Sequence, residues 1–310
     1  MKTLKLLPAE TNFNFIRLRF AAFVISLLLI FASLVEFGLE GLNFGIDFKG
    51  GTLIEIETSG PADIGALRET IAALELGEVQ IQQFGKPNDV LVRVAEPEGA
   101  SDNAENFSAV QQIRSVLPDD VSFRRVEVVG PQISGELIRA GFMAVAIAIG
   151  LMLVYIWLRF EWQFSVGAVL ALMHDIILTL GVFSFLQLEF NLSIIAAILT
   201  IVGYSMNDTV VVYDRVRENL RKYRKMPLTE LCNMSINRTL SRTVMTSVTT
   251  LLALLSLYIL GGEVIRGFTF AMIWGIFIGT YSSIFIAAPI LIYLGVKRDW
   301  SSEQKAPSTP

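Results

Sequence analysis

Along the chain, six stretches are apolar for long enough to cross the roughly 30 Å of hydrocarbon in a bilayer: residues 20–39, 138–158, 164–186, 192–213, 243–260 and 268–294. Each reads as a transmembrane helix. The first is longer than the apolar core of a signal peptide and no clear cleavage site follows it, so it is read as a retained span. Between the first and second spans the periodicity changes. Residues 52–58 alternate with period two, 62–76 read as a helix, 79–84 and 90–95 as strands, 108–117 as a second helix, and 121–129 as a last strand ending at Gly130-Pro131. The order βαββαβ matches the ferredoxin-like split motif, and about 90 residues suffice for one small α+β domain.

The expected architecture is therefore a polytopic α-helical membrane protein, six transmembrane helices with an α+β ferredoxin-like domain between the first and second. Its parts are an N-terminus and first helix (1–38), the ferredoxin-like domain (39–135), a five-helix bundle (136–296) that includes a basic loop at 214–241, and a tail (297–310). Composition agrees, because 53% hydrophobic and 17% charged residues with a mean hydropathy of +0.56 exceed what a soluble core of this size requires.

Charge adds direction. Lys2, Lys5, Arg17 and Arg19, the turn at Arg159, the segment 215–242, and Lys297-Arg298 all fall on one side of a six-span count, which predicts that both termini are cytoplasmic. Residues 39–135, with 16 acidic and 7 basic side chains, then face the periplasm, whereas 214–242 holds 3 acidic and 8 basic. That acidic excess argues against a nucleic-acid partner. The basic, partly amphipathic stretch 213–237 serves as a topology signal or lies along the lipid of the cytoplasmic leaflet. A single Cys (Cys232) and a single His (His174) leave no disulfide or multi-His metal cage, so no metal or cofactor is expected. Gly45-Ile46-Asp47-Phe48-Lys49-Gly50-Gly51-Thr52 is turn-rich but lacks Walker-loop spacing.

The candidate chemistry lies in the spans. Asp208, in Gly203-Tyr204-Ser205-Met206-Asn207-Asp208-Thr209, sits inside an apolar run. An ionisable group there costs roughly 2.5–3.5 kcal/mol on insertion scales, so a chain that keeps one usually moves an ion or proton with it. Asn207 beside it offers a donor and an acceptor. In hydrocarbon an unpartnered Asp stays neutral, and beside a cation it ionises. The candidate cation is Arg242, at the start of the fifth span; it cannot discharge, which makes Asp208 the group that titrates. A static interhelical pair, with Arg242 snorkelling to the interface, is the alternative. Asp175 lies roughly 19 Å into its span, near the midplane, and Asp208 roughly 25 Å into its own. His174 and Asp175 project about 100° apart on a helix and are not expected to pair side by side, so each is expected to need a partner on another span, in a proton path or a structural polar role.

Several of these motifs together carry a resemblance. Gly45 to Thr52, Leu172-Met173-His174-Asp175, the Gly203 to Thr209 run continuing into Asp214-Arg215-Val216-Arg217-Glu218-Asn219, Arg238-Thr239-Leu240-Ser241-Arg242-Thr243, and Gly261-Gly262-Glu263-Val264-Ile265-Arg266-Gly267-Phe268 resemble the SecF branch of the SecD/SecF family of bacterial protein-export membrane proteins. That family is similar to one half of a resistance-nodulation-division pump. Met206 stands where Leu or Ile is expected. The resemblance implies a non-enzymatic inner-membrane subunit. With SecD and beside the SecYEG channel, it would use the proton-motive force to assist translocation of unfolded polypeptides. It also implies that Asp208 matches the family's membrane-embedded carboxylate and Arg242 its essential Arg. Two other classes compete: a proton-driven exporter of small molecules or lipids of the resistance-nodulation-division type, against which the small outer domain argues, and an intramembrane aspartyl protease using Asp175 and Asp208, which lack the expected Gly-x-Gly-Asp context.

Overall fold

The computed structural model describes residues 11–74, 76, 79–95, 103–118 and 120–296. Lys2, Lys5, Lys297, Arg298, the tail 301–310 and part of the helix expected at 62–76 lie outside them. The chain is mostly helical, with six helical segments long and apolar enough to cross a membrane.

A 3₁₀ turn (Ile16–Leu18) leads into α1 (Arg19–Leu39). The chain leaves it through β1 (Asn43–Phe44) and α2 (Ile46–Lys49), two short elements that hydrophobic periodicity does not reveal. Then follow β2 (Gly51–Glu57), α3 (Ile64–Ala72), β3 (Val79–Gln83), β4 (Asp89–Val94), α4 (Asn103–Val116) and β5 (Ser122–Val129). Asp63 starts α3 as its N-cap, its carboxylate accepting from the Ala66 N–H at 3.0 Å. The sheet order is β3-β4-β2-β5 with all neighbours antiparallel. Ile54 and Ile56 of β2 and Val90, Val92 and Val94 of β4 point to one face, packing with Ile71 of α3 and Ile113 of α4. The other face is not open to solvent throughout. Leu53 and Leu91 pack there against Ile46, which is why the alternation read in the sequence does not become an alternation of burial.

Pro131 opens α5 (Pro131–Arg159) at its first position, where a missing N–H costs nothing. The bundle continues with α6 (Trp162–Phe185), β6 (Glu189–Phe190), α7 (Leu192–Lys222), α8 (Leu228–Leu260), α9 (Arg266–Ser282) and α10 (Ala288–Tyr293). A π-turn (Ser283–Ala287) joins the last two in one span, just before Pro289, whose ring cannot continue a regular ladder. The segment read as a basic loop at 214–241 is corrected: residues 214–222 continue α7 without a break, and α8 begins at Leu228 with Pro227 as its N-cap. Its residues are good helix formers, and Val216 and Leu220 bury one face against Leu231, Cys232 and Ile236.

Helices α6, α7 and α9 form the buried centre of the bundle, while α1, α5 and α8 expose apolar side chains such as Leu27, Phe31, Leu151 and Leu255. Close approach at the centre depends on small residues. A Cβ on Gly279 of α9 would stand 3.0 Å from the Cβ of Ser205 on α7.

The α+β unit is fastened to the bundle. β1 pairs in parallel with β6, the connection between α6 and α7. Arg93 of β4 forms an ion pair with Glu189 at 3.0 Å, and Asp47 Oδ2 accepts from the Leu192 N–H at 2.9 Å, capping α7. Phe44, Phe48 and Phe190 pack around this joint, with Phe48 stacked on Phe190 at 5.8 Å.

Candidate functional site

Two buried carboxylates occupy neighbouring helices. Asp175 of α6 is 1% exposed and its hydrogen bonds are filled from three directions. Oδ2 accepts from the hydroxyls of Ser205 on α7 at 2.6 Å and Ser282 on α9 at 2.8 Å, and Oδ1 meets Nδ1 of His174 at 2.9 Å. The expectation that His174 and Asp175 cannot pair is thereby corrected. Their Cβ atoms diverge, but each side chain is drawn to the same polar spot by donors on other helices, and the imidazole swings round to reach the carboxylate. Asp175 likewise has fixed partners where the sequence displayed none. His174 Nε2 lies 3.2 Å from Ser26 Oγ on α1, and that oxygen lies 3.0 Å from the hydroxyl of Tyr281, whose ring stacks on the imidazole. The result is one polar network tying together α1, α6, α7 and α9.

The order Ser26, His174, Asp175 is that of a hydrolase relay. Ser26 is 4% exposed and already engaged by Tyr281, so an acyl carbon has no approach to it. The network links side chains of four helices.

Asp208 is different. It lies three residues beyond Ser205 on α7, roughly 4.5 Å further along the axis, and is 3% exposed. Its Oδ2 is buried without a hydrogen-bond partner among the described residues. Arg242 is within electrostatic reach but makes no ion pair with it; the guanidinium is exposed in a cavity of about 890 Å³ at the basic end of the bundle. Asn207 opens into the same cavity rather than onto Asp208, because adjacent helical residues point about 100° apart. The sequence-derived site is thus split: Asn207 and Arg242 come together, and Asp208 stands one wall away. A carboxylate short of a partner next to a cation not yet bonded to it can take up or release a proton with little rearrangement.

The site residues not foreseen are Ser26, Ser205, Ser282 and Tyr281. A hydroxyl inside an apolar span is a weak signal, and what selects these four is their convergence on His174-Asp175. Arg93 and Glu189 were not singled out either. Burial, together with Asp47 and Glu127 nearby, pushes the Glu189 carboxyl above the usual range, and Arg93 opposes that shift. Among the described residues no three His, Cys, Asp or Glu side chains converge as metal ligands would.

Comparison with known proteins places the chain. Residues 109–297 match the family "Protein export membrane protein SecD/SecF, C-terminal", and residues 38–62, which include the Gly50-Gly51 turn, match the "SecD/SecF GG Motif". The protein translocase subunit SecF of Cereibacter sphaeroides is 48% identical over 302 residues, covering 95% of this chain and 93% of that one. That of Rickettsia bellii is 46% identical over 299 residues, covering 95% and 97%. The crystal structure of SecDF, a translocon-associated membrane protein from Thermus thermophilus, matches with a TM-score of 0.83 at 38% identity over 94% of this chain. A structure of SecDF in a super-membrane-facing form matches with 0.68 at the same identity over 96%. The chain spans 40% of the length of each SecDF chain. With motifs, relatives and fold in agreement over nearly its whole length, the chain belongs to the SecD/SecF family of protein-export membrane proteins, in its SecF branch.

Proposed function

We propose that the chain works with SecD beside SecYEG, in the bacterial inner membrane, to draw unfolded polypeptides across by using the proton-motive force, with Asp208 as the proton carrier. The observation that carries this reading is the buried Asp208 carboxylate, one oxygen unpartnered, with Arg242 close by but not bonded. Approach of Arg242 favours the charged carboxylate, and its withdrawal favours the protonated acid. A charge crossing the field releases roughly 2.3 kcal/mol per 100 mV, comparable to the gap between two conformers of a protein.

In this reading the basic face is cytoplasmic, both termini lie there, and the α+β unit is periplasmic. Its strand order supports a ferredoxin-like fold, with β2 central and next to β4 and β5. Because β1–β6 pairing, Arg93–Glu189 and the Asp47 cap fasten that unit to the α6–α7 connection, it moves with α7 rather than on a loose tether, and it handles the exported chain without cutting it. Two SecDF structures that match at equal identity but with TM-scores of 0.83 and 0.68 are consistent with a fold that takes more than one arrangement. The resistance-nodulation-division exporter loses weight to the family match.

The test is precursor translocation into inverted membrane vesicles, with and without an imposed proton gradient, at matched protein levels. Asp208→Asn and Arg242→Ala are expected to keep ATP-driven export and lose its stimulation by the gradient, with Arg242→Lys partly tolerated because its geometry and hydration differ. Wild-type stimulation in Asp208→Asn would make Asp208 structural and remove the mechanism. Impermeant labelling of a Cys at Asn88 in a Cys232→Ser background tests the orientation.

A further inference from the structure

Asp208 lies between two attachments of α7 to the last span, and both end at the π-turn Ser283–Ala287. On one side Ser205, three residues before it, donates to Asp175 Oδ2, the oxygen that also accepts from Ser282, the residue just ahead of the π-turn. On the other side Tyr213, five residues after it, donates its hydroxyl to the carbonyl of Ala287, the last residue of the turn, at 3.1 Å. The two attachments are roughly 12 Å apart along α7. The segment of α7 that carries Asp208 therefore runs alongside an irregular stretch of the last span and is bonded to both ends of it.

Tyr213 is the more telling of the two. Its side chain is fully buried, and its ring stands edge-on to Phe164 of α6 at 5.1 Å. Room for its hydroxyl depends on Gly167, one turn further along α6: a Cβ there would stand 2.5 Å from the hydroxyl oxygen and 3.5 Å from the Ala287 carbonyl oxygen. Packing alone would be served by a phenylalanine ring. The hydroxyl adds a directed bond from α7 to the π-turn. Such turns occur mostly as single interruptions of α-helices, frequently at functional sites. Moving one along its helix by a residue swings the side chain it passes by about 100°. Pro289 follows closely and has no N–H to close a regular ladder, so the helix itself does little to fix its register here.

We propose that the π-turn is the pivot on which α7 shifts when Asp208 changes state, and that Tyr213 is a positioning residue, holding the turn through Ala287 in the arrangement where Arg242 stands off from the carboxylate. Tyr213 acts through the helix and touches no reacting atom. The inference rests on the coupling role proposed for Asp208 and adds where the two arrangements differ. Proton uptake at Asp208 is favoured while Arg242 is withdrawn. Losing a bond made only in that arrangement moves the balance toward the other, and a larger gradient is then needed to load the carboxylate.

The test is precursor translocation into inverted vesicles carrying the full chain with its partners, measured against the size of the imposed proton gradient, so that the gradient giving half-maximal stimulation is read apart from the plateau. Tyr213→Phe is expected to leave ATP-driven export and the plateau unchanged and to raise the half-point by roughly two- to tenfold in proton-activity ratio, the factor that one neutral hydrogen bond is worth in an equilibrium. Gly167→Ala, whose methyl displaces the hydroxyl, should shift the half-point in the same direction. In the double variant the methyl takes the space that the hydroxyl leaves, so the shift should be no larger than in Tyr213→Phe; shifts that multiply would show two separate effects and overturn the proposal. A lowered plateau at an unmoved half-point would make Tyr213 a packing residue only, and a half-point moved to smaller gradients would assign the bond to the opposite arrangement; either result overturns it. Asp208→Asn in the same assay keeps the two readings apart. With stimulation lost there and the Tyr213→Phe half-point at the wild-type value, the pivot fails and the proton carrier stands; with stimulation intact in Asp208→Asn, the carrier fails and the pivot with it.

Discussion

Asp175 and Asp208 have the same side chain, comparable burial and neighbouring helices, and the fold treats them in opposite ways. Around Asp175, Ser205, Ser282 and His174 converge from three helices and leave neither oxygen unpartnered. Around Asp208 one oxygen has no partner among the described residues, and its cation is turned into a cavity. Asp175 is tied to its neighbours through both oxygens, in a low-dielectric site where breaking any one of those bonds is costly. Asp208 keeps one oxygen open. The difference separates a carboxylate held from three helices from one with an open side, and residue identity alone does not reveal it.

The largest effect that can break this contrast is functional. Asp208→Asn preserves shape and removes the proton site, so gradient-stimulated translocation should fall to the level seen without a gradient while the protein remains folded and assembled. Asp175→Asn should do the reverse in kind. The amide that replaces one carboxylate oxygen donates instead of accepting, so His174 must switch tautomer or a serine hydroxyl must turn away, at a cost of about 0.5–1.5 kcal/mol. Denaturant titration in detergent should register this, with a smaller loss of gradient response than Asp208→Asn gives. Equal and complete loss of response in both variants, at normal protein levels and stability, would mean that the two carboxylates have been ranked wrongly.

Smaller changes sharpen the comparison. Ser205→Ala and Ser282→Ala each remove one donor to Asp175 Oδ2 and should cost about 0.5–1.5 kcal/mol apiece. Since both hydroxyls serve one oxygen, the double variant should depart from additivity, and strict additivity would show that the network is not a unit.

The same opposition recurs outside the membrane, where the effect is smaller and pH reads it. Glu57 is held below the usual carboxylate range mainly by its hydrogen bond to Arg124, whereas burial raises Glu189 despite Arg93. A raised folded-state value means that Glu189 contributes stability below its ordinary value of about 4.3 and loses that contribution as pH rises through the raised one. Acidification should therefore release the Arg93–Glu189 pair first, without unfolding the unit, and the Arg124–Glu57 pair last. Carboxyl NMR titration should place the Glu189 midpoint above the Glu57 midpoint; the reverse order would remove the pH sensitivity of the joint.

Much of this was legible in the chain. Span positions are set by the cost of leaving polar groups in hydrocarbon, a property of each segment taken alone, and the strands and helices of 51–129 are set by local periodicity. Asp208 and Arg242 stand out because charge in an apolar run needs no neighbours to be noticed. Elements too short to carry a period were not legible: β1, α2 and β6 exist because they pack and pair with one another. The continuation of α7 through residues 214–222 was also hidden, because a run of charges reads as a loop until Val216 and Leu220 find Leu231 and Ile236.

The sequence by itself thus determined which helices cross the membrane, which end is basic, and which ionisable residues lie within the spans, all consequences of the solvation of single residues and segments. Only the tertiary structure decided what those residues face. It paired His174 with Asp175, brought Ser205 and Ser282 to one oxygen, and left Asp208 beside but not bonded to Arg242. Hydrogen bonds between helices depend on which faces meet, and that is fixed by the packing of the whole bundle.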